Sequence, residues 1–139
     1  MTSRPSMDTI FLKLAWLIAE RSTCERLNVG CVIVDSEKRR VLSIGYNGNY
    51  TGGPNKCDSL EPGKCGCLHA EDNACVKLDY REPVKIAYIT HLPCKICAKR
   101  LVNAGIGQVY YDNTYRYTEG LKILKRAKVK VKQLQLKGK

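Results

Sequence analysis

Two short runs hold residue types that together do metal chemistry. In Leu68-His69-Ala70-Glu71 a histidine is followed two positions later by a glutamate, and in Pro93-Cys94-Lys95-Ile96-Cys97 two cysteines are spaced as a pair. One imidazole and two thiolates make a three-ligand site for Zn²⁺. Three protein ligands leave the fourth tetrahedral position open to water, which is the arrangement of a catalytic zinc and not of a structural one. The metal acidifies that water toward neutral pH, and a proton must still travel from it to the group under attack. Glu71 has the chemistry and the position to carry that proton. The expected zinc ligands are therefore His69, Cys94 and Cys97, with Glu71 as acid/base. Either run alone says little, because an isolated C-x-x-C is equally a redox pair or half of a structural finger.

These side chains need elements to hold them. A helix starting near His69 puts ligand and acid/base in one first turn, with Ala70, Ala74 and Leu78 recurring on one face. Pro93 reads as the start of a second helix, over 94–104 and ended by Gly105, since a first turn has no use for the amide that proline lacks. Both thiols then lie at a helix N-terminus, where the dipole favours thiolate. Residues 7–20 read as an amphipathic helix with Ile10, Leu14, Leu17 and Ile18 on its apolar side. Strands are expected at 29–34 and 41–46, joined by the polar turn 35–40 as a hairpin. Further strands are expected at 84–90, 108–112 and 129–134, with a last helix at 117–127. Alternation of strand and helix from the third strand onward predicts an α/β class, parallel neighbours beside the antiparallel hairpin, and helices on both faces. Both halves of the metal site fall at helix N-termini along one edge of the sheet, where open α/β folds bind their ligands.

The 139 residues are expected to form one domain, 1–139, able to bury a core without disulfide staples. The apolar run at 10–18 is interrupted by Lys13 and no small-residue cleavage site follows, so no secretion signal or membrane span is read here and a cytoplasmic protein is expected. Eight cysteines in that setting point to metal binding and buried thiols. Cys57, Cys65 and Cys67 lie in a segment rich in Gly, Pro and Asp with little apolar content to order it. A second, closed zinc site, completed by Cys24, would supply that order. A glycine-rich loop at 45–54 follows the second strand; such loops approach anions or turn sharply. The net charge is +11, and residues 122–139 carry no Asp or Glu. This favours anionic partners, either free nucleotides or nucleic-acid phosphate, although lysines alternating with valine at 128–132 also suit a half-exposed strand.

Taken together these runs resemble the zinc-dependent cytidine/deoxycytidylate deaminase family, and within it the deoxycytidylate (dCMP) deaminases. The likeness is carried by His69-Ala70-Glu71-Asp72-Asn73-Ala74, by Pro93 through Lys99, and by Arg21-Ser22-Thr23-Cys24 ahead of Val29-Gly30. Gly45-Tyr46-Asn47-Gly48, and Ala104-Gly105-Ile106 running on to Tyr115, extend it. The H-A-E and P-C-x-x-C parts are shared with cytidine, tRNA-adenosine, guanine and riboflavin-pathway deaminases; the G-Y-N-G loop and R-S-T-C segment point to the dCMP group.

The resemblance implies a three-layer α/β/α cytidine-deaminase-like fold with a mixed five-stranded sheet. It implies hydrolytic deamination of dCMP to dUMP and ammonia, supplying thymidylate synthesis, with water attacking C4 of the pyrimidine while Glu71 moves its proton to N3 and helps the amine leave. By the same resemblance Asn47 holds the deoxyribose 3′-hydroxyl, the backbone around Ala70 meets the base, and Tyr115 lies at the nucleotide end. Arg21, Ser22 and Arg26 are the expected phosphate contacts. Many family members are homohexamers activated by dCTP and inhibited by dTTP with Mg²⁺, which would make Asn47, Gly48, Asn49, Gly52 and Gly53 part of an effector site at a subunit contact. Some relatives bind a second zinc, in keeping with Cys24, Cys57, Cys65 and Cys67. The segment before His69 is short for the family, which leaves Cys67, two residues from a catalytic ligand, the least expected of the four.

Two rival readings follow from the same residues. A deaminase acting on a base within RNA or DNA would use the basic charge for backbone affinity. It would also want exposed aromatics, and Trp16 and Phe11 both fall in the first helix. A non-catalytic zinc module binding a partner through its basic tail has no need of Glu71 beside an open coordination position.

Overall fold

Strand β1 (Gly30–Asp35) is buried along its whole length, so its side chains must meet cover on both faces of the sheet. The computed structural model, which describes residues 3–114 and 117–136, supplies that cover. Helix α1 (Met7–Ala19) lies on one face. There Phe11, Leu12 and Ala15 pack with Val32 and Val34 of β1 and with Ile86, Tyr88 and Tyr110. Helices α2 (Ala70–Val76), α3 (Lys95–Asn103) and α4 (Glu119–Arg126) cover the other, where Cys31 and Ile33 join Ala74, Ala98, Leu101 and Leu124. The alternation along β1 is what a strand's period of two requires between two apolar layers.

Five strands make one mixed sheet in the order β2-β1-β3-β4-β5. β2 (Val41–Tyr46) and β3 (Lys85–His91) flank β1 and both run antiparallel to it. β4 (Ile106–Asn113) and β5 (Lys130–Gln133) continue in parallel. The architecture is the expected α/β/α sandwich with its hairpin and parallel half. Among the described residues no helix is long and apolar enough to cross a membrane.

Two expectations need correction. Ile10 and Leu17 of α1 are 40% and 59% exposed, and the buried side is instead Phe11, Leu12, Ala15 and Ala19. The helix backbone at Ala15 and Ala19 lies directly against Gly30, so the small residues face the sheet and the two larger ones are turned outward. Helix α2 ends at Val76, short of Leu78. That leucine is still buried, but it reaches the core from a turn in which its amide donates to Cys75 O. Elsewhere the boundaries differ by one or two residues, as frayed ends do.

Candidate active site

His69 is the N-cap of α2 and Cys94 the N-cap of α3, so the expected metal ligands occupy the same position on two helices. Pro93 therefore precedes the cap instead of opening the helix. The His69 imidazole makes no cap hydrogen bond. Its Nδ1 lies 3.1 Å from Cys97 Sγ and 3.6 Å from Cys94 Sγ, with all three ligand atoms within 4.8 Å of one another. Several contacts hold the helices in this relation. The Asp72 carboxylate of α2 accepts from Arg100 of α3 at 2.8 Å, Asn73 Nδ2 donates to Tyr46 O, and Ser43 Oγ donates to Ala74 O. A Cβ at Gly45 of β2 would stand 2.3 Å from Ala70 O, which is how closely α2 is seated on that strand. A Cβ at Gly120 of α4 would stand 2.0 Å from Pro93 O, just ahead of Cys94.

The electrostatics suit a cation. The Cys94 thiol is held down to about 3 by the hydrogen bond from Cys97 and by His69, against the opposing pull of burial. The Cys97 thiol is pushed up by the same pairing and by its burial. The hydrogen bond with Cys94 in turn raises the His69 pKa, against the opposing effect of burial. A coordinated metal would hold both sulfurs as thiolates. An imidazole and two thiolates are zinc donors, so the set fits Zn²⁺. Glu71, in the first turn of α2, is only 4% exposed, and that burial pushes its carboxyl up to about 7.

His69, Glu71 and Cys94 border a cavity of about 280 Å³. Among the other expected substrate contacts, Asn47, Ala70 and Arg26 also line it. Asn47 is mostly committed within the protein. Its Oδ1 accepts from Ser22 Oγ at 2.6 Å and Val29 N at 2.9 Å, while Nδ2 donates to Leu27 O at 2.6 Å. The Ser22 hydroxyl is thus turned to Asn47, and Ser22 and Arg21 border a second cavity of about 820 Å³. Asn49, Gly52 and Gly53 of the glycine-rich loop line that second cavity too. Gly48 is paired by its backbone with Leu68. Tyr115 lies outside the described residues.

The other four cysteines also converge. The sulfurs of Cys24, Cys57, Cys65 and Cys67 lie within 4.8 Å of one another, with Cys57 at 3.7 Å from both Cys24 and Cys67. Cys67 is therefore a full member of the group although His69 is two residues away. An isolated bridge between Leu68 and Gly48 separates the two, and the chain turns from one cluster to the other. Backbone amides of Glu25 and Cys67 donate to Cys57 Sγ and Cys65 Sγ. Cys24, Cys65 and Cys67 border the same cavity as His69 and Glu71, a proximity that spacing along the chain does not reveal. His91, at the end of β3, borders it as well, and sequence reasoning passed it over. The signal available was its place at a strand end, three residues before Cys94.

The family model for the cytidine and deoxycytidylate deaminase zinc-binding region matches residues 5–113. A deoxycytidylate deaminase of Saccharomyces cerevisiae is 40% identical over 94% of this chain and 45% of its own length, and one of Schizosaccharomyces pombe is 36% identical over 94% and 44%. The chain thus spans about half the length of these curated relatives. The dCMP deaminase of cyanophage S-TIM5, solved in complex with dCMP and dUMP, superposes with a TM-score of 0.85 at 34% identity, over 96% of this chain and all of that one. Because the matched region takes in both helix-capping ligands and the acid between them, the chain belongs to the cytidine and deoxycytidylate deaminase zinc-binding family.

Proposed function

We propose that the protein, working as a single domain, deaminates dCMP hydrolytically to dUMP and ammonia. The observation that carries this reading is the buried Glu71 carboxyl in a cavity wall shared with His69 and Cys94. Full-length likeness to a phage enzyme solved with dCMP and dUMP supports the choice of nucleotide.

Zinc, when bound, supplies a water acidified toward neutral pH. His69, Cys94 and Cys97 hold the metal. Glu71 takes a proton from the water whose oxygen bonds to C4, delivers it to N3, and passes the second proton to the departing amine as the C4–N4 bond breaks. Burial suits it to this exchange, because a carboxyl near 7 both accepts and gives a proton at neutral pH. The Ala70 backbone borders the base, and Asn47 keeps one Nδ2 hydrogen for the deoxyribose 3′-hydroxyl. Arg26, which borders the cavity, is the cation for the phosphate in this reading, and Ser22 acts through Asn47.

Cys24, Cys57, Cys65 and Cys67 form a second, closed zinc site in this reading. Zn–S bonds of about 2.3 Å in a tetrahedron set neighbouring sulfurs about 3.8 Å apart, and the 3.7 Å spacings support it. Eight free thiols, most of them in these two clusters, suit the reducing cytoplasm. The larger cavity, bordered by Arg21, Lys77, Asn49, Gly52 and Gly53, supports an effector site for dCTP or dTTP with Mg²⁺ in a homohexamer. Trp16, the chain's one tryptophan, donates to Asp112 Oδ2 and packs on His91, an internal role that disfavours nucleic-acid stacking.

The test is the loss of cytosine absorbance on mixing purified, zinc-loaded protein with dCMP, repeated with dCTP·Mg²⁺ and dTTP·Mg²⁺. Turnover of dCMP is the expected result, rising with the first effector and falling with the second. No turnover with zinc bound would sink the substrate assignment, and turnover indifferent to both triphosphates would sink the regulatory one.

A further inference from the structure

Residues 24–26 run along a wall that the two cavities share. Cys24 borders both, Glu25 borders the larger one, and Arg26 borders the one that holds Glu71. Two neighbouring residues of opposite charge are thus sorted to opposite sides of one strap. A phosphate monoester carries close to two negative charges at neutral pH, so the sorting decides whether the catalytic cavity offers it a cation alone or a cation beside a carboxylate.

Glu25 is held on its side by two bonds to a single residue. Its backbone amide donates to Cys57 Sγ at 3.3 Å, and its Oε1 accepts from the Cys57 amide at 2.8 Å. Cys57 belongs to the four-cysteine cluster, with Cys24 and Cys67 each at 3.7 Å. No hydrogen bond or ion pair among the described residues holds Arg26 itself. The residue after it is fixed, because Leu27 O accepts from Asn47 Nδ2 at 2.6 Å. Arg26 therefore takes its place from Glu25 on one side and Leu27 on the other. A carboxylate released from Cys57 could pair with the adjacent guanidinium or repel the phosphate, and either weakens nucleotide binding.

We propose that Glu25 is a positioning residue for phosphate recognition: its clasp on Cys57 keeps the carboxylate on the far side of the strap and leaves the Arg26 guanidinium to the substrate cavity. The inference rests on the deoxynucleotide reading above, in which Arg26 meets the phosphate. It also gives the four-cysteine cluster a part in that reading, since the clasp closes on one of its sulfurs.

The test compares zinc-loaded wild type with Glu25→Ala, Glu25→Asp, Glu25→Gln, Arg26→Ala and the double variant Glu25→Ala/Arg26→Ala. The readouts are kcat and KM for dCMP and for deoxycytidine, and calorimetric affinity for dUMP and for deoxyuridine. Alanine removes the acceptor; aspartate keeps the charge but falls one methylene short of the Cys57 amide. Both are expected to raise KM for dCMP and weaken dUMP binding by roughly 3- to 10-fold with kcat little changed. The nucleosides, which lack the phosphate, should respond little. Glu25→Gln, whose amide oxygen still accepts from Cys57, should stay close to wild type. In the Arg26→Ala background Glu25→Ala should cost nothing further, since Glu25 acts through Arg26. An equal loss for nucleotide and nucleoside, a glutamine variant as weak as the alanine one, or a full Glu25→Ala loss in the Arg26→Ala background would each overturn the proposal. Wild type that turns over dCMP while Glu25→Ala and Glu25→Asp bind dUMP as tightly defeats Glu25 alone; wild type that neither binds dUMP nor consumes dCMP defeats the substrate reading and this inference with it.

Discussion

The Arg100 guanidinium stands 2.8 Å from the Asp72 carboxylate and joins α3 to α2 across the gap that their capping ligands span. Arg100 is half exposed, so the pair itself contributes little to global stability, no more than about 1 kcal/mol. Its effect should be local. Arg100→Ala is expected to change the unfolding midpoint slightly while speeding zinc loss to a chelator several-fold, because the helix ends bearing His69 and Cys94 are less firmly related. Zinc release as slow as in wild type would show that core packing alone sets the distance.

Glu71→Gln keeps shape and polarity but cannot shuttle a proton. Zinc content and fold should persist, and kcat should fall by about 10²- to 10⁴-fold or more. Wild-type turnover in this variant would refute the mechanism.

The same substitution has a signature in metal-stripped protein. Burial raises the Glu71 carboxyl from 4.5 to about 7, so the folded state binds more protons than the unfolded state between those values. The Glu71 contribution to the stability of stripped wild type should therefore fall as pH rises through that window, by roughly 3 kcal/mol, and level off above it. Glu71→Gln lacks the ionisation, so its stability relative to wild type should improve from about pH 5 to about pH 8. Denaturant unfolding at the two pH values measures the difference, and a constant gap between the two proteins would contradict the cause given for the shift.

Gly45→Ala sets a methyl 2.3 Å from the Ala70 carbonyl and 2.5 Å from Ala74 N, both backbone atoms that move only if α2 moves. A loss of about 1–3 kcal/mol is expected, together with a fall in kcat/KM, since Ala70 and Glu71 travel with the helix. Retained stability and activity would mean that α2 is not pinned at this point.

Cys57→Ser removes the sulfur nearest two others in the second cluster. Metal analysis should fall from about two zinc ions per chain to about one, and proteolysis should cut between residues 57 and 67 while the catalytic ion stays. One zinc per chain in wild type would leave that segment ordered by other means.

What could be read from the chain depended on how local the cause was. His69, Glu71, Cys94 and Cys97 declare themselves because metal chemistry constrains residue type and spacing over a few positions, and helix caps fix their placement. The strands, their antiparallel start and the parallel remainder follow from apolar runs of strand length. The outward turn of Ile10 and Leu17 was hidden, since it depends on Ala15 and Ala19 meeting Gly30 from another element. Ser22 looked like a phosphate ligand because a hydroxyl beside arginines suits that role; its commitment to Asn47 arises from a contact 25 residues away. Cys67 drew suspicion for its nearness to His69, yet a single bridged residue suffices to turn the chain between clusters. His91 carried no motif at all.

Gly120 sits within a lysine-rich surface helix, where helix propensity alone would favour alanine by about 1 kcal/mol. Its missing Cβ lets α4 rest on the Pro93 carbonyl, so a methyl there presses on the residue just before Cys94, a member of the candidate metal site. A complete mutational scan should therefore give a tolerance map with an odd feature: beside the core leucine Leu124, a glycine about two dozen residues past Cys94 that accepts substitution as poorly as the residues of the candidate metal site.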